Sequence, residues 1–152
     1  MQALNLPTYI FKIKSEGQRS QIFDSTRRKY VALTPEEWVR QNYVEFLVQE
    51  RQFPRSLMAI EQSLTYNRMQ RRCDLLAYTQ TGQPALMVEC KAPNIKIDQK
   101  VFDQIARYNM SLQVPYLAVT NGLEHYYCYI DLANRSYRFL PDCPAYGQLT
   151  TA

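Results

Sequence analysis

Asp74, Glu89 and Lys91 are the residues of this chain whose types and spacing could do chemistry together. They sit in two short apolar or β-branched runs, Arg72-Cys73-Asp74-Leu75-Leu76-Ala77-Tyr78-Thr79 and Pro84-Ala85-Leu86-Met87-Val88-Glu89-Cys90-Lys91. Both runs read as strands bounded by turn signals. Gln80-Thr81-Gly82-Gln83 between them reads as a hairpin loop, with Gly82 free to take a positive φ. A turn centred on Thr81-Gly82 sets Tyr78 opposite Ala85, Leu76 opposite Met87 and Asp74 opposite Glu89. Side chains alternate along a strand, so Asp74, Glu89 and Lys91 are expected on one face, and Cys73 and Cys90 on the other. Two carboxylates opposed in this way lie about 4.5–5.5 Å apart at Cβ and destabilise a hairpin. A divalent cation reverses the sign of that interaction. Mg²⁺, with Mn²⁺ as a substitute, takes oxygen ligands, often only one or two of them carboxylates, and leaves positions for water and phosphate. Lys91 would lie beside the metal and its bound water. Two acids and a lysine around one point suit hydrolysis of a phosphodiester.

Asp74, a gap, then Glu89-Cys90-Lys91 resembles the Asp…Glu-x-Lys signature of the PD-(D/E)XK nuclease superfamily. Val88-Glu89-Cys90-Lys91-Ala92-Pro93 resembles the strand end in the N-terminal nuclease domains of type I restriction enzyme R subunits. Gln104-Ile105-Ala106-Arg107-Tyr108 is similar to the Gln-x-x-x-Tyr motif of the RecB-like branch. The resemblance runs from about Thr34 to Ile130. It implies a restriction-endonuclease-like core and a Mg²⁺-dependent DNA endonuclease working in restriction, defence or DNA processing. The metal would be held by Asp74, Glu89 and the backbone carbonyl of Cys90. Lys91 would orient the attacking water, with Gln104 and Tyr108 in support. Related nucleases sometimes bring an acid from the preceding helix to the metal, for which Glu37 and Glu45 are the candidates. DNA is the implied partner, with methyltransferase and specificity or helicase subunits beside it; a homo-oligomer is compatible with the sequence. No Gly-x-x-x-x-Gly-Lys-Ser/Thr loop is present, so no ATP-driven translocation is inferred. A reading of a different class stays open: a non-catalytic DNA-binding or docking module of a larger restriction or repair complex. A Holliday-junction or RNA-processing nuclease of the same fold is a third.

These residues need a scaffold, and 152 residues suffice for one domain, with residues 1–30 as an N-terminal extension and 34–140 as the core. Tyr9–Lys14 reads as a strand and Arg27-Arg28-Lys29 as a solvated basic loop. Thr34-Pro35-Glu36-Glu37 opens a helix with an N-cap, a proline at the first position and a capping-box glutamate. Val39, Tyr43, Phe46 and Leu47 form its apolar stripe. Pro54 breaks the chain before a strand at Leu57–Leu64 and a polar loop at Asn67–Gln70. Arg68, Arg71 and Arg72 lie close before Asp74, where they either neutralise the acids or hold substrate phosphates. Asp98 caps a second helix running to about Leu112, with Val101, Ile105, Tyr108 and Leu112 as its core stripe and Gln104 one turn before Tyr108. Pro115–Thr120 reads as a buried strand parallel to the Glu89 strand. His125–Ile130 and Ser136–Leu140 read as a final strand pair turning at Ala133-Asn134, whose tyrosines suit a half-buried sheet face better than base stacking. His125 is a structural residue by preference, a general base as the alternative.

The order of elements predicts an α/β domain with a mixed central sheet flanked by helices. No apolar run reaches the roughly 20 residues that a membrane helix needs, and the N-terminus lacks a signal peptide's apolar stretch, so a cytoplasmic protein is expected. The four cysteines fit no CxxC spacing and read as reduced thiols. A net charge of +4 is compatible with a polyanionic partner.

Overall fold

The computed structural model describes residues 1–149, apart from the side chains of Tyr66, Met69 and Arg71. An antiparallel meander of three strands, β1 (Ile13–Glu16), β2 (Arg19–Asp24) and β3 (Lys29–Ala32), precedes helix α1 (Pro35–Arg51). There follow β4 (Met58–Tyr66), β5 (Met69–Tyr78), β6 (Pro84–Cys90), helix α2 (Gln99–Leu112), β7 (Tyr116–Thr120), β8 (His125–Asp131) and β9 (Ser136–Leu140). These six strands form one sheet in sequence order, with β6 and β7 parallel and the other neighbours antiparallel. Helix, three antiparallel strands, helix, parallel strand and hairpin is the order the sequence predicts.

The two helices cover opposite faces of the sheet. Thr34 caps α1 by accepting from the Glu37 amide, with proline at its first turn. From this helix Val39, Tyr43 and Leu47 pack on Leu75, Ala77, Leu86, Val88 and Cys90. Asp98 caps α2, whose Phe102, Ile105, Ala106 and Leu112 pack on Cys73, Leu76, Met87, Leu117 and Val119. β6 and β7 are thus buried on both faces, which is why both read as continuous apolar runs. Asn109, fully buried in α2, donates to the Val114 carbonyl and ties the helix end to the start of β7.

Several expectations need correction. The chain enters β1 at Ile13, and Tyr9–Lys12 is irregular because Phe11 packs edge-on against Trp38 of α1, 5.4 Å between ring centroids. Arg27 is no solvated charge: it pairs with the fully buried Asp24 and with Glu37, fastening the meander to α1. Burial pushes the Asp24 carboxyl up, but hydrogen bonds from the Arg27 amide and side chain and from Gln41 outweigh it and hold it below the usual range. Asn67 and Arg68 make a tight two-residue turn, both at positive φ, as such a hairpin requires. Tyr108 is 39% exposed and leaves the core stripe of α2 to Phe102, Ile105, Ala106, Asn109 and Leu112.

The β5–β6 hairpin keeps the expected register at Leu76↔Met87, but a bulge at Ala77/Tyr78 sets Tyr78 opposite Pro84, not Ala85. The expected sorting of faces fails near Asp74. Leu75 and Ala77 face α1, whereas Cys73 packs in the α2-side core and Cys90 in the α1-side core. The two cysteines therefore lie on opposite faces. The cause is a local break in the β4–β5 ladder: pairing runs from Ile60↔Leu75 to Gln62↔Cys73, and between them Glu61 takes a left-handed φ of 55°. Strand alternation resets across Asp74.

Candidate functional site

The reset turns the Asp74 carboxylate toward α1. Its Oδ1 lies 3.7 Å from an Arg40 Nη2, and its Oδ2 accepts from the Cys90 backbone N–H at 2.8 Å. Asp74 is therefore clasped to the peptide that joins Glu89 to Cys90. Glu89 is buried, in register with Val119 and two residues past Met87, so strand alternation starts its side chain on the α2 side of β6. The two acids approach the same peptide from different faces instead of sharing one, because of the kink at Glu61. Lys91 follows at the strand end, its amide bonded to the Thr120 carbonyl.

Arg40 is the hub of this region and is barely exposed. Its Nη1 donates to Glu61 at 2.8 Å, and it stands 3.7 Å from Glu37 and 3.8 Å from Glu36. Glu61 also accepts from Arg72, and the bond from Arg40 is the main reason its carboxyl is held below the usual range. Glu36 behaves in the opposite way. Burial and then the Asp74 charge raise its carboxyl above the usual range, against the opposing pull of Arg40 and Lys91. The Glu36 carboxyl, in the first turn of α1, thus feels the charges of both Asp74 and Lys91.

Among the acids of α1, Glu36 is the one whose carboxyl the Asp74 charge raises. Glu37 is engaged by Arg27 and Gln41, and Glu45 by a two-pronged bond from Arg55 at 2.7 and 2.9 Å. Sequence reasoning missed both Glu36 and Arg40; their i,i+4 spacing in the first turns of α1 was the available signal. Arg72 is committed to Glu61, Arg68 lies exposed in the β4–β5 turn, and the Arg71 side chain lies outside the described residues. His125 has both ring nitrogens occupied, by Thr120 Oγ1 and the Asn5 carbonyl, and burial lowers its pKa, so it is a structural residue. The tyrosines of the last hairpin serve the sheet, Tyr126 and Tyr137 packing with Phe139 around Phe102. Gln104 and Tyr108 do emerge together, lining an open cavity of about 920 Å³ with Lys100, Asp103 and Arg107 on the outer side of α2.

The donor chemistry suits a hard cation, since Glu36, Asp74 and Glu89 offer carboxylate oxygens and the end of β6 offers backbone carbonyls. Among the described residues no group of three or more His, Cys, Asp or Glu converges as a metal cage. Mg²⁺ often keeps several waters and takes only one or two protein carboxylates, so it needs fewer protein ligands than such a cage.

The family described as the type I restriction enzyme R protein N terminus (HSDR_N) matches residues 35–144, from the first turn of α1 to beyond β9. The chain belongs to this family. No curated protein matches it. Among solved structures, a fragment described as an HsdR subunit of a type I restriction enzyme from Vibrio vulnificus YJ016 has a similar fold, with a TM-score of 0.54 at 21% identity. That likeness covers 77% of this chain but 24% of the other, so the R protein N-terminal fold seen here spans about a quarter of that chain's length. No helix among the described residues is long and apolar enough to cross a membrane.

Proposed function

We propose that this R protein N-terminal domain is a Mg²⁺-dependent DNA endonuclease of the PD-(D/E)XK kind, working in a type I restriction system. One observation carries the reading: the Asp74 carboxylate bonds to the amide between Glu89 and Cys90, one residue before Lys91 at the end of β6. Asp74 would hold the metal, with the Cys90 carbonyl as a further ligand and Glu89 joining them by turning its carboxylate from the α2 side toward Asp74. A bound Mg²⁺ or Mn²⁺ supplies Lewis-acid polarisation of the phosphate and a water of lowered pKa. Lys91 orients that water and stabilises the negative charge that grows on the phosphate oxygens. Gln104 and Tyr108, on the outer side of α2 and so across the sheet from Asp74, would steady the substrate strand away from the scissile phosphate. Methyltransferase, specificity and helicase subunits are the partners this reading implies, in the cytoplasm.

The test is cleavage of supercoiled plasmid with Mg²⁺ or Mn²⁺ by the wild type, Asp74→Asn and Lys91→Ala. Loss of nicking in both variants, with circular dichroism unchanged, supports the reading. Equal nicking by all three means that the activity lies elsewhere.

A second reading, a non-catalytic DNA-binding or docking module, is favoured by one feature: Arg40 already supplies positive charge to Glu61, Glu37 and Asp74. Calorimetry separates the two. Heat of Mg²⁺ binding that disappears in Asp74→Asn supports the nuclease, whereas DNA affinity without Mg²⁺ binding supports the module.

A further inference from the structure

The arginines gathered around Glu61 are spent on carboxylates: Arg27, Arg40 and Arg72 all form ion pairs with it. Arg107 and Arg135 differ. Neither forms an ion pair among the described residues, and both face one cleft of about 640 Å³. Three separate elements build that cleft: the last turns of α2, the tight β4–β5 turn at Asn67 and the β8–β9 turn that ends at Arg135. Asn67 and Arg135 both hold positive φ there, so two reversed turns fix the rim of the cleft. Its lining contains no acidic residue; besides the two arginines it offers the amide side chains of Asn67 and Gln113. Arg107 and Ser111 also line the cavity that holds Gln104 and Tyr108, so the two hollows run into each other along α2.

We propose that this cleft binds the phosphodiester backbone of a nucleic acid, extending the track that passes Gln104 and Tyr108. The inference rests on the nucleic-acid reading above and assigns the backbone contact to Arg107 and Arg135, away from Arg72. A guanidinium presents a fixed fork of donors that matches phosphate oxygens, and side-chain amides add neutral donors to the same oxygens. Two guanidiniums face a concave wall without a carboxylate, and Asp103, whose carboxyl feels the Arg107 charge, lines only the adjoining hollow, so a strand in this cleft displaces mainly water and counterions.

The test uses the full chain in EDTA, so that binding is read without any metal. Fluorescence anisotropy follows a fluorescein-labelled duplex and, separately, a single strand of the same sequence, across a salt series. The wild type is compared with Arg107→Gln/Arg135→Gln and with the charge-matched Arg19→Gln/Lys29→Gln on the N-terminal meander. The cleft variant should bind at least tenfold more weakly, and the salt slope should fall by about 1.8 for duplex or about 1.4 for single strand, two phosphate contacts in either case. The meander variant should bind as the wild type does. The probe showing the larger loss identifies the form of nucleic acid that lies in the cleft. Equal weakening by both double variants, no weakening by the cleft variant, or no binding by the wild type would overturn the proposal. A plasmid assay that fails while the cleft variant still loses affinity would sink the nuclease reading and leave this one standing.

Discussion

Replacing Arg40 by methionine keeps most of the side chain's apolar length and removes its charge. Four carboxylates lie around that charge, but they do not count equally. Only Glu61 forms a hydrogen bond, at 2.8 Å, while Glu36, Glu37 and Asp74 stand at 3.7–3.8 Å. A hydrogen bond to a charged group contributes about 1.5–3 kcal/mol, and stripping one partner from a buried pair costs about 3–5 kcal/mol. Glu61 is 35% exposed at its side chain and keeps Arg72, which moves the expectation to the lower end, about 2–3 kcal/mol. For a chain of this size that corresponds to a fall in Tm of roughly 4–12 °C. Urea titration followed by Trp38 fluorescence measures it, since Trp38 is the sole tryptophan and packs against Phe11 at the meander–helix junction. The pH dependence sharpens the test. Arg40 is the chief cause of the lowered Glu61 pKa, so the contribution of Glu61 is present above the unfolded-state value of about 4.3 and is lost as pH falls through the lower folded value. The deficit of Arg40→Met should be largest near neutral pH and shrink toward pH 3. An unchanged midpoint at pH 7, or a deficit that persists undiminished in acid, would refute the assignment of Arg40 as the hub of these acids.

Burial depresses the pKa of His125 in the folded state, so its neutral form is favoured there and stability falls as pH drops below the unfolded value of about 6.5 toward the folded one. His125→Gln should remove that slope from the urea midpoint, because the chain has one histidine. Gly122 stands at φ +87° with Leu4 Cδ2 2.7 Å and Val39 Cγ2 3.1 Å from where a Cβ would project, so Gly122→Ala should destabilise by about 1–3 kcal/mol, read in the same titration. Gln104→Ala and Tyr108→Phe sit on the outer side of α2 and should move stability by less than about 0.5 kcal/mol while lowering plasmid cleavage; a large stability loss would make them core residues instead.

The elements were legible because their signals are local: Thr34-Pro35 and Asp98 cap the helices, and the unbroken apolar runs of β6 and β7 announce strands buried on both faces. The register at Leu76↔Met87 followed from loop position alone. The turn of Asp74 toward α1 did not, because it depends on a left-handed Glu61, a residue type that gives no sign of such a φ. The choice of Glu36 over Glu37 depends on how α1 is rotated on the sheet, and neighbouring helical positions differ by a large angle. Tyr108 was misplaced in the core for a related reason: the positions that fill the inner face of α2 include Ala106 and Asn109, a small and a polar residue that hydrophobic patterning passes over. Asn109 is tolerated there because the Val114 carbonyl accepts from it.

The claim on which the account turns is that the end of β6 beside Asp74 accepts a divalent cation. Anomalous diffraction from crystals soaked in Mn²⁺ tests it directly. The account predicts a peak within bonding distance of an Asp74 carboxylate oxygen, with the Arg40 contact to Asp74 lengthened and the peak absent in Asp74→Asn. A wild-type crystal in which Asp74 keeps its 3.7 Å contact to Arg40 and Mn²⁺ binds elsewhere or not at all would contradict it.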